Sequence, residues 1–215
     1  MAKKWERSGA IVAQRMSISQ IGGFVSKKIQ LSDDEAAILE KEGSSVQMFE
    51  SGKHKVSGMF SGPEMNVVFI DKSPKSIRRG VQELWTKDDK KINADIEMKF
   101  SVSEPEKVRK LLMGRRDVLV IEDIWMELRK EIVSSSLTPI VKKKGIDDLQ
   151  DERMVEKEIR VAVEVEAKKK FEVFGLELIS FSAEFILPED YQEYLKRRVD
   201  MKVDAEKTHF AEEED

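Results

Sequence analysis

His54 and His209 are the only imidazoles in the chain, and there is no cysteine. A histidine-rich zinc site within one chain is therefore excluded, as are thiolate metal sites, disulfides and a cysteine nucleophile. Carboxylates are plentiful instead. Asp33, Asp34 and Glu35 stand in a row that suggests a metal cluster. Consecutive side chains on an extended strand alternate sides, however, so three in a row cannot face one ion, and a solvated turn is expected. Glu152, Glu156, Glu158 and Asp190 are the carboxylates from which an acid–base pair would be drawn. No histidine or hydroxyl nucleophile is tied to them, and solvated helix faces account for them. Gly52-Lys53 resembles the end of a phosphate-binding loop, but the preceding glycine is misplaced and no Ser or Thr follows the lysine. The residues assign no catalytic, cofactor or metal role, so a non-enzyme is expected.

Charge narrows the partners. Lys and Arg total 38 against 42 Asp and Glu, a formal net charge of -4. The runs Lys142–Lys144 and Lys168–Lys170 are short and lack interleaved aromatics, so no nucleic-acid partner is expected. The 215 residues suffice for one large or two small domains; 40% are hydrophobic and 37% charged. That balance implies a lean core and long exposed helices.

The elements follow from periodicity. Ile29 and Leu31 alternate with polar residues, Ala36–Leu39 runs into a Glu40–Gly43 turn, and Val46, Met48 and Phe49 form the next short strand. Ser51-Gly52-Lys53 makes a turn before a strand from His54. Asn66–Ile70 is continuously apolar, as a strand buried on both faces would be. Ile77–Trp85 reads as a strand bulged or bent at Gly80, followed by a charged hairpin turn. Ile92, Ala94, Ile96, Met98, Phe100 and Val102 alternate cleanly and mark the strongest strand. Ser103 then caps a helix with Pro105 in its first turn, ending near Gly114. Ile121, Ile124, Trp125, Leu128 and Ile132 stripe a second helix, with Trp125 as core, until Ser134–Ser136 and Pro139 break or kink it.

Asp151 is placed to cap the longest helix, whose Ile159, Val163, Ala167, Phe171 and Phe174 share one face. Gly175 closes it with a left-handed residue, and a strand follows in which Leu176, Leu178 and Ser180 alternate with Glu177, Ile179 and Phe181 up to Pro188. Beyond it Tyr191, Leu195 and Val199, with Tyr194 beside them, give a narrow stripe. Such a helix awaits a partner and suits the start of a coiled coil. These four residues are the oligomer-interface candidates. Near the other end Ile11, Ile18, Ile21 and Val25 fit one helical face, making them membrane-contact candidates on a surface-lying helix. The alternative is an opening segment docked on the domain or on a neighbouring subunit. No stretch has the roughly 20 apolar residues of a span or the apolar block of a signal peptide.

The order of these elements resembles the SPFH domain, also called band 7 or prohibitin-homology domain, shared by stomatins, prohibitins and flotillins. EAAILEKEGSSVQMFESGKHKV (Glu35–Val56) is similar to the family's opening hairpins. INADIEMKFSVSEPEKVRKLL (Ile92–Leu112) is similar to its long strand and "dP" helix start, with Glu104 in place of the aspartate and Pro105 as the proline. Glu152–Pro188, ending FGLELISFSAEFILP, resembles its charged helix, returning strand and closing proline. GPEMNVVFIDKSPKSIRRGVQELWTKDD is closer to a soluble branch named after a virion core protein. The membrane anchor of stomatin-like members and the cysteine-rich tail of some soluble ones have no counterpart in this sequence.

The resemblance implies an α+β fold: an antiparallel-rich β-sheet with packed helices and a C-terminal extended helix. The expected layout is an N-terminal segment 1–28, an SPFH-like domain 29–188 with a subdomain break at 102–106, a C-terminal helix 189–211 and an acidic tail 212–215. It also implies a self-assembling scaffold that organises partner proteins, a membrane protease or other membrane protein among them. A cytoplasmic homo-oligomer is expected, with association to a membrane surface. The alternative is a peripheral lipid-binding or protein-binding module that forms no ring.

Overall fold

A computed structural model of the chain describes residues 5, 7–21, 27–56, 65–150 and 152–198. Among the described residues ten strands form three antiparallel sheets. The first contains β1 (Ile11–Ser17), β3 (Glu35–Lys41), β4 (Ser44–Phe49), β6 (Met65–Asp71) and β9 (Val118–Val120), in the order β4-β3-β6-β1-β9. The second contains β7 (Lys75–Trp85), β8 (Lys91–Val102) and β10 (Leu176–Ile186), ordered β10-β8-β7. β2 (Lys28–Leu31) and β5 (Gly52–Lys55) pair as a ribbon. The α+β, antiparallel-rich architecture expected from the sequence is the one observed.

Two apolar clusters occupy the faces of the five-stranded sheet. Val12, Ile38, Val68 and Ile70 meet the inner face of the three-stranded sheet, where Ile92, Ala94, Ile96, Met98, Phe100 and Val102 are all buried. α4 (Glu152–Phe174) lays Ile159, Val163, Ala167, Phe171 and Phe174 into this cluster, and the rings of Phe171 and Phe100 lie 6.5 Å apart. On the opposite face Ile29 and Leu31 of the ribbon cover Ala37, Leu39, Phe49, Val67 and Phe69. With cores on both sides, β3 and β6 must be apolar almost throughout, which is why neither alternates.

The turns are chemically legible. Glu42 and Gly43 both take positive φ (51° and 77°) in the two-residue β3–β4 turn, which matches the right-handed strand twist. At the α4–β10 junction Gly175 has φ 73°, and its carbonyl accepts from the amides of Ser103 and Glu104 at 2.9 and 3.0 Å. The β7–β8 turn is tied to the loop after α3 (Thr138–Val141) by the Asp88 carboxylate, which accepts from the Ile146 amide. A hydrogen bond from Thr86 lowers the pKa of Asp88 despite some desolvation.

Several expectations are corrected. Residues 11–17 are a strand and Ile18–Gln20 a 3-10 turn, so the N-terminal isoleucines do not share a helical face. β1 pairs with both β6 and β9 and is integral to the sheet. Gly80 lies in regular register opposite Asp95; the β7 bulge falls between Val81 and Leu84, where Glu83 has φ 57°. Glu104, not Ser103, is the N-cap of α1 (Pro105–Lys107): its backbone is extended, with φ -128°, and its carbonyl accepts from the amides of Lys107 and Val108. The helical path continues from α1 through the wider turn Val108–Met113.

Ser134–Ser136 and Pro139 do not break the second helix. α2 (Ile121–Arg129) passes into π-helical turns over Lys130–Leu137 and then into α3. The Ser136 hydroxyl donates to the Glu131 carbonyl within the wide turn, and Pro139 falls where the path passes from π-helical turns into α3. In β10 a bulge at Ile179 interrupts the expected alternation, so Leu176 faces the core before it and Phe181 and Phe185 after it. The proposed Asp151 cap lies outside the described residues.

Candidate self-association surface and charged cleft

The C-terminal stripe sits on a helix over residues 189–198, here α5. Tyr191 is turned toward its own domain: its ring packs against the main core and its hydroxyl donates to the Asp147 carboxylate. The Tyr194 ring lies tilted beside it, centroids 5.8 Å apart, and is exposed, while Leu195 is half-buried. Val199 and the acidic residues 212–215 lie outside the described residues. At the other end Ile11 and Ile18 are half-buried, Ile21 is buried in the second core, and Val25 lies outside the described residues.

α4 carries apolar positions that the spacing analysis did not select. Val161 and Val165 are 49% and 56% exposed. They are four residues apart, and each is two residues from a buried position on the Ile159–Val163–Ala167 line, so they point away from the core. Lys157, Glu158, Lys168, Lys169 and Glu172 surround them on that exposed side. Glu158 also pairs with Lys144 at 2.8 Å, which accounts for one of the carboxylates considered for acid–base chemistry. Asp190 is exposed on α5. The signal was present in the sequence: two valines at helical spacing, on the side a purely solvated helix would give to charge.

Two ionic clusters organise the five-stranded sheet. In the first, Arg7 donates to both oxygens of Asp71 at 2.6 and 3.1 Å and also to Asp34, while Lys75 donates to Asp71 at 2.6 Å. Burial pushes the Asp71 carboxyl up, but hydrogen bonds from Arg7, Lys75 and Ser73 outweigh it and leave the pKa lowered. In the second, Glu40, 1% exposed, accepts from Arg15 of β1 and from Arg109 of the turn after α1, each at 2.8 Å. Arg15 also donates to the carbonyls of Gly114 and Arg116, and Arg109 to that of Gly43. Removing the carboxylate would leave two guanidiniums without their shared partner, a loss of about 3–5 kcal/mol.

This second cluster forms the floor of a cleft of about 680 Å³ bounded by the β3–β4 turn and Lys110, Gly114 and Arg115. Its parts come from three distant stretches of chain, so no local motif marks it. Asp33 and Asp34 sit in the turn before β3, whereas Glu35 begins the strand, which separates the apparent acidic row. Among the described residues no three His, Asp or Glu side chains are grouped to hold a metal ion. Nor, among them, is any helix long and apolar enough to cross a membrane.

A family model described as "SPFH domain / Band 7 family" matches residues 29–215. The chain belongs to the SPFH family. No curated protein matches it. The SPFH match begins at β2, whereas the sheet it describes is completed by β1, upstream of the match. Membership places the chain in a scaffold-type, membrane-associated family.

Proposed function

We propose that this SPFH protein is a non-enzymatic, self-assembling scaffold that organises partner proteins, membrane proteins such as proteases among them. The observation that carries the reading is the Val161–Val165 stripe on α4, apolar, solvent-facing and flanked by charges of both signs. β-branched residues gain little in an isolated helix and nothing from exposure. Against a second copy the valines would be buried and the flanking Lys and Glu would select the register. Tyr194 of α5 offers a second contact on the same principle.

Native mass by light scattering over a concentration series tests it. The wild-type chain is expected to give a discrete oligomer. Val161→Glu together with Val165→Glu is expected to return it to single-chain mass, with folding stability held within about 0.5 kcal/mol because both sites are exposed. A wild-type monomer at every concentration sinks the reading.

A further inference from the structure

Among the described residues β4 is an edge strand with little guarding it. From Ser44 to Phe49 it has no charged residue and no proline, and Val46 and Met48 are 41% and 42% exposed. Natural edges are usually blunted by lysine, proline or a cover. Here the protection is a bulge: the β3–β4 register shifts between Leu39 and Glu40, leaving Val46 as the extra residue. One end of β4, Ser44 and Ser45, forms part of the wall of the charged cleft.

The cleft has an excess of cations. Arg15, Arg109, Lys110 and Arg115 line it, against Glu40 and Glu42. Glu40 neutralises only one of the two guanidiniums it holds, and Glu106 at the rim pairs with Arg109 at 3.2 Å. Lys110 and Arg115 are exposed and make no ion pair among the described residues. The whole is a cationic cleft that opens beside exposed apolar side chains on a strand edge left unpaired among the described residues. It fits an extended, acidic segment with at least one apolar anchor.

The chain itself contains such a segment. His209-Phe210-Ala211-Glu212-Glu213-Glu214-Asp215 puts an aromatic residue immediately before four carboxylates within five positions. We propose that this acidic segment of one copy docks in the cleft of another, carboxylates on Lys110, Arg115 and the outer edges of Arg15 and Arg109, with Phe210 against Val46 and Met48. The partner being a second copy, the proposal rests on the self-assembly reading above. Charge-assisted hydrogen bonds from guanidinium and ammonium groups supply the attraction. The bulge at Val46 interrupts any continuous ladder, so side chains rather than an added β-strand set the specificity.

The test is a fluorescence anisotropy titration of a labelled, end-capped peptide of residues 205–215, AEKTHFAEEED. The receptor is the full chain with Glu212, Glu213 and Glu214 changed to Gln and Asp215 to Asn, so that its own segment does not compete. Saturable binding is expected. Lys110→Glu with Arg115→Glu should weaken it at least about tenfold, as loss and reversal of two charge-assisted contacts requires. Added salt should weaken it as well, and Phe210→Ala in the peptide should reduce it severalfold. Val161→Glu with Val165→Glu in the receptor should leave it unchanged, so peptide docking and assembly through α4 are scored separately. Absence of saturable binding overturns the proposal. So does binding indifferent to the Lys110 and Arg115 changes, or equal binding of an oligoglutamate peptide.

Discussion

Gly175 shows how much a single position can decide. Its φ of 73° is one that L side chains rarely adopt, and a Cβ there would sit 2.4 Å from the Glu104 carbonyl oxygen and 2.8 Å from Lys107 Cβ. The carbonyl cannot easily retreat, because the Glu104 amide is itself bonded to Gly175. Gly43 provides the control: its φ is 77°, but no atom lies within 4 Å of its would-be Cβ. Gly43→Ala should therefore cost only the left-handed penalty of about 1–2 kcal/mol. Gly175→Ala should cost about 3 kcal/mol or more, since a clash with fixed backbone is added. Urea melts of both variants check this, and equal losses would mean that the α4–β10 junction is looser than its packing implies.

Among elements, β10 carries a feature that depends on its partner. Ile179 is the extra residue opposite β8, exposed, with regular pairing resuming at Ser180. Deleting Ile179 leaves Phe181 and Phe185 facing the core and should cost no more than about 1 kcal/mol, that of an exposed side chain and a bulge. Deleting Ser182 shifts every later residue by one, turning Glu184 inward and the buried Phe185 outward. That variant should lose more than about 3 kcal/mol, from Phe185 burial and an unpaired carboxylate. Thermal melts of the two single deletions decide it; comparable destabilisation would refute the register.

The same distinction explains what was legible in advance. β8 alternates and α4 repeats every four residues because one face of each meets the core, so local periodicity carries the information. The helical reading of the N-terminal isoleucines fails, and the alternative of a segment docked on the domain holds, because a strand with cores on both sides has no alternation to display and its partners β6 and β9 are far away in sequence. The bulges at Glu83 and Ile179 exist only relative to β8. The cleft was invisible for a related reason: Arg15, Glu40 and Arg109 belong to three separate elements, and the sole local hint is a charged Glu40 directly after the apolar run Ala36–Leu39.

For the whole molecule, the place of β1 determines what counts as the folding unit. The family match starts at residue 29, yet β1 lies between β6 and β9 and contributes Val12, Ala13 and Met16 to the two cores. Trp5 stacks on Phe69 at 5.3 Å, and Arg7 holds Asp34 and Asp71, so the segment before β1 is fastened to the same sheet. Burial of large apolar side chains stabilises by about 1.5–3 kcal/mol each, and the ladders on both sides of β1 would be lost with them. The total approaches the roughly 5–15 kcal/mol by which a domain is stable at all. A fragment beginning at residue 29 is therefore expected to lack a cooperative thermal transition, while the full chain melts in one step. A cooperative, native-like melt of the fragment would show that β1 is an accessory strand. The outcome also bears on lipid binding: if the fragment is unfolded, loss of vesicle flotation on deleting residues 1–28 would report unfolding, and a point change such as Ile18→Glu in the intact chain would be the sound test of membrane contact.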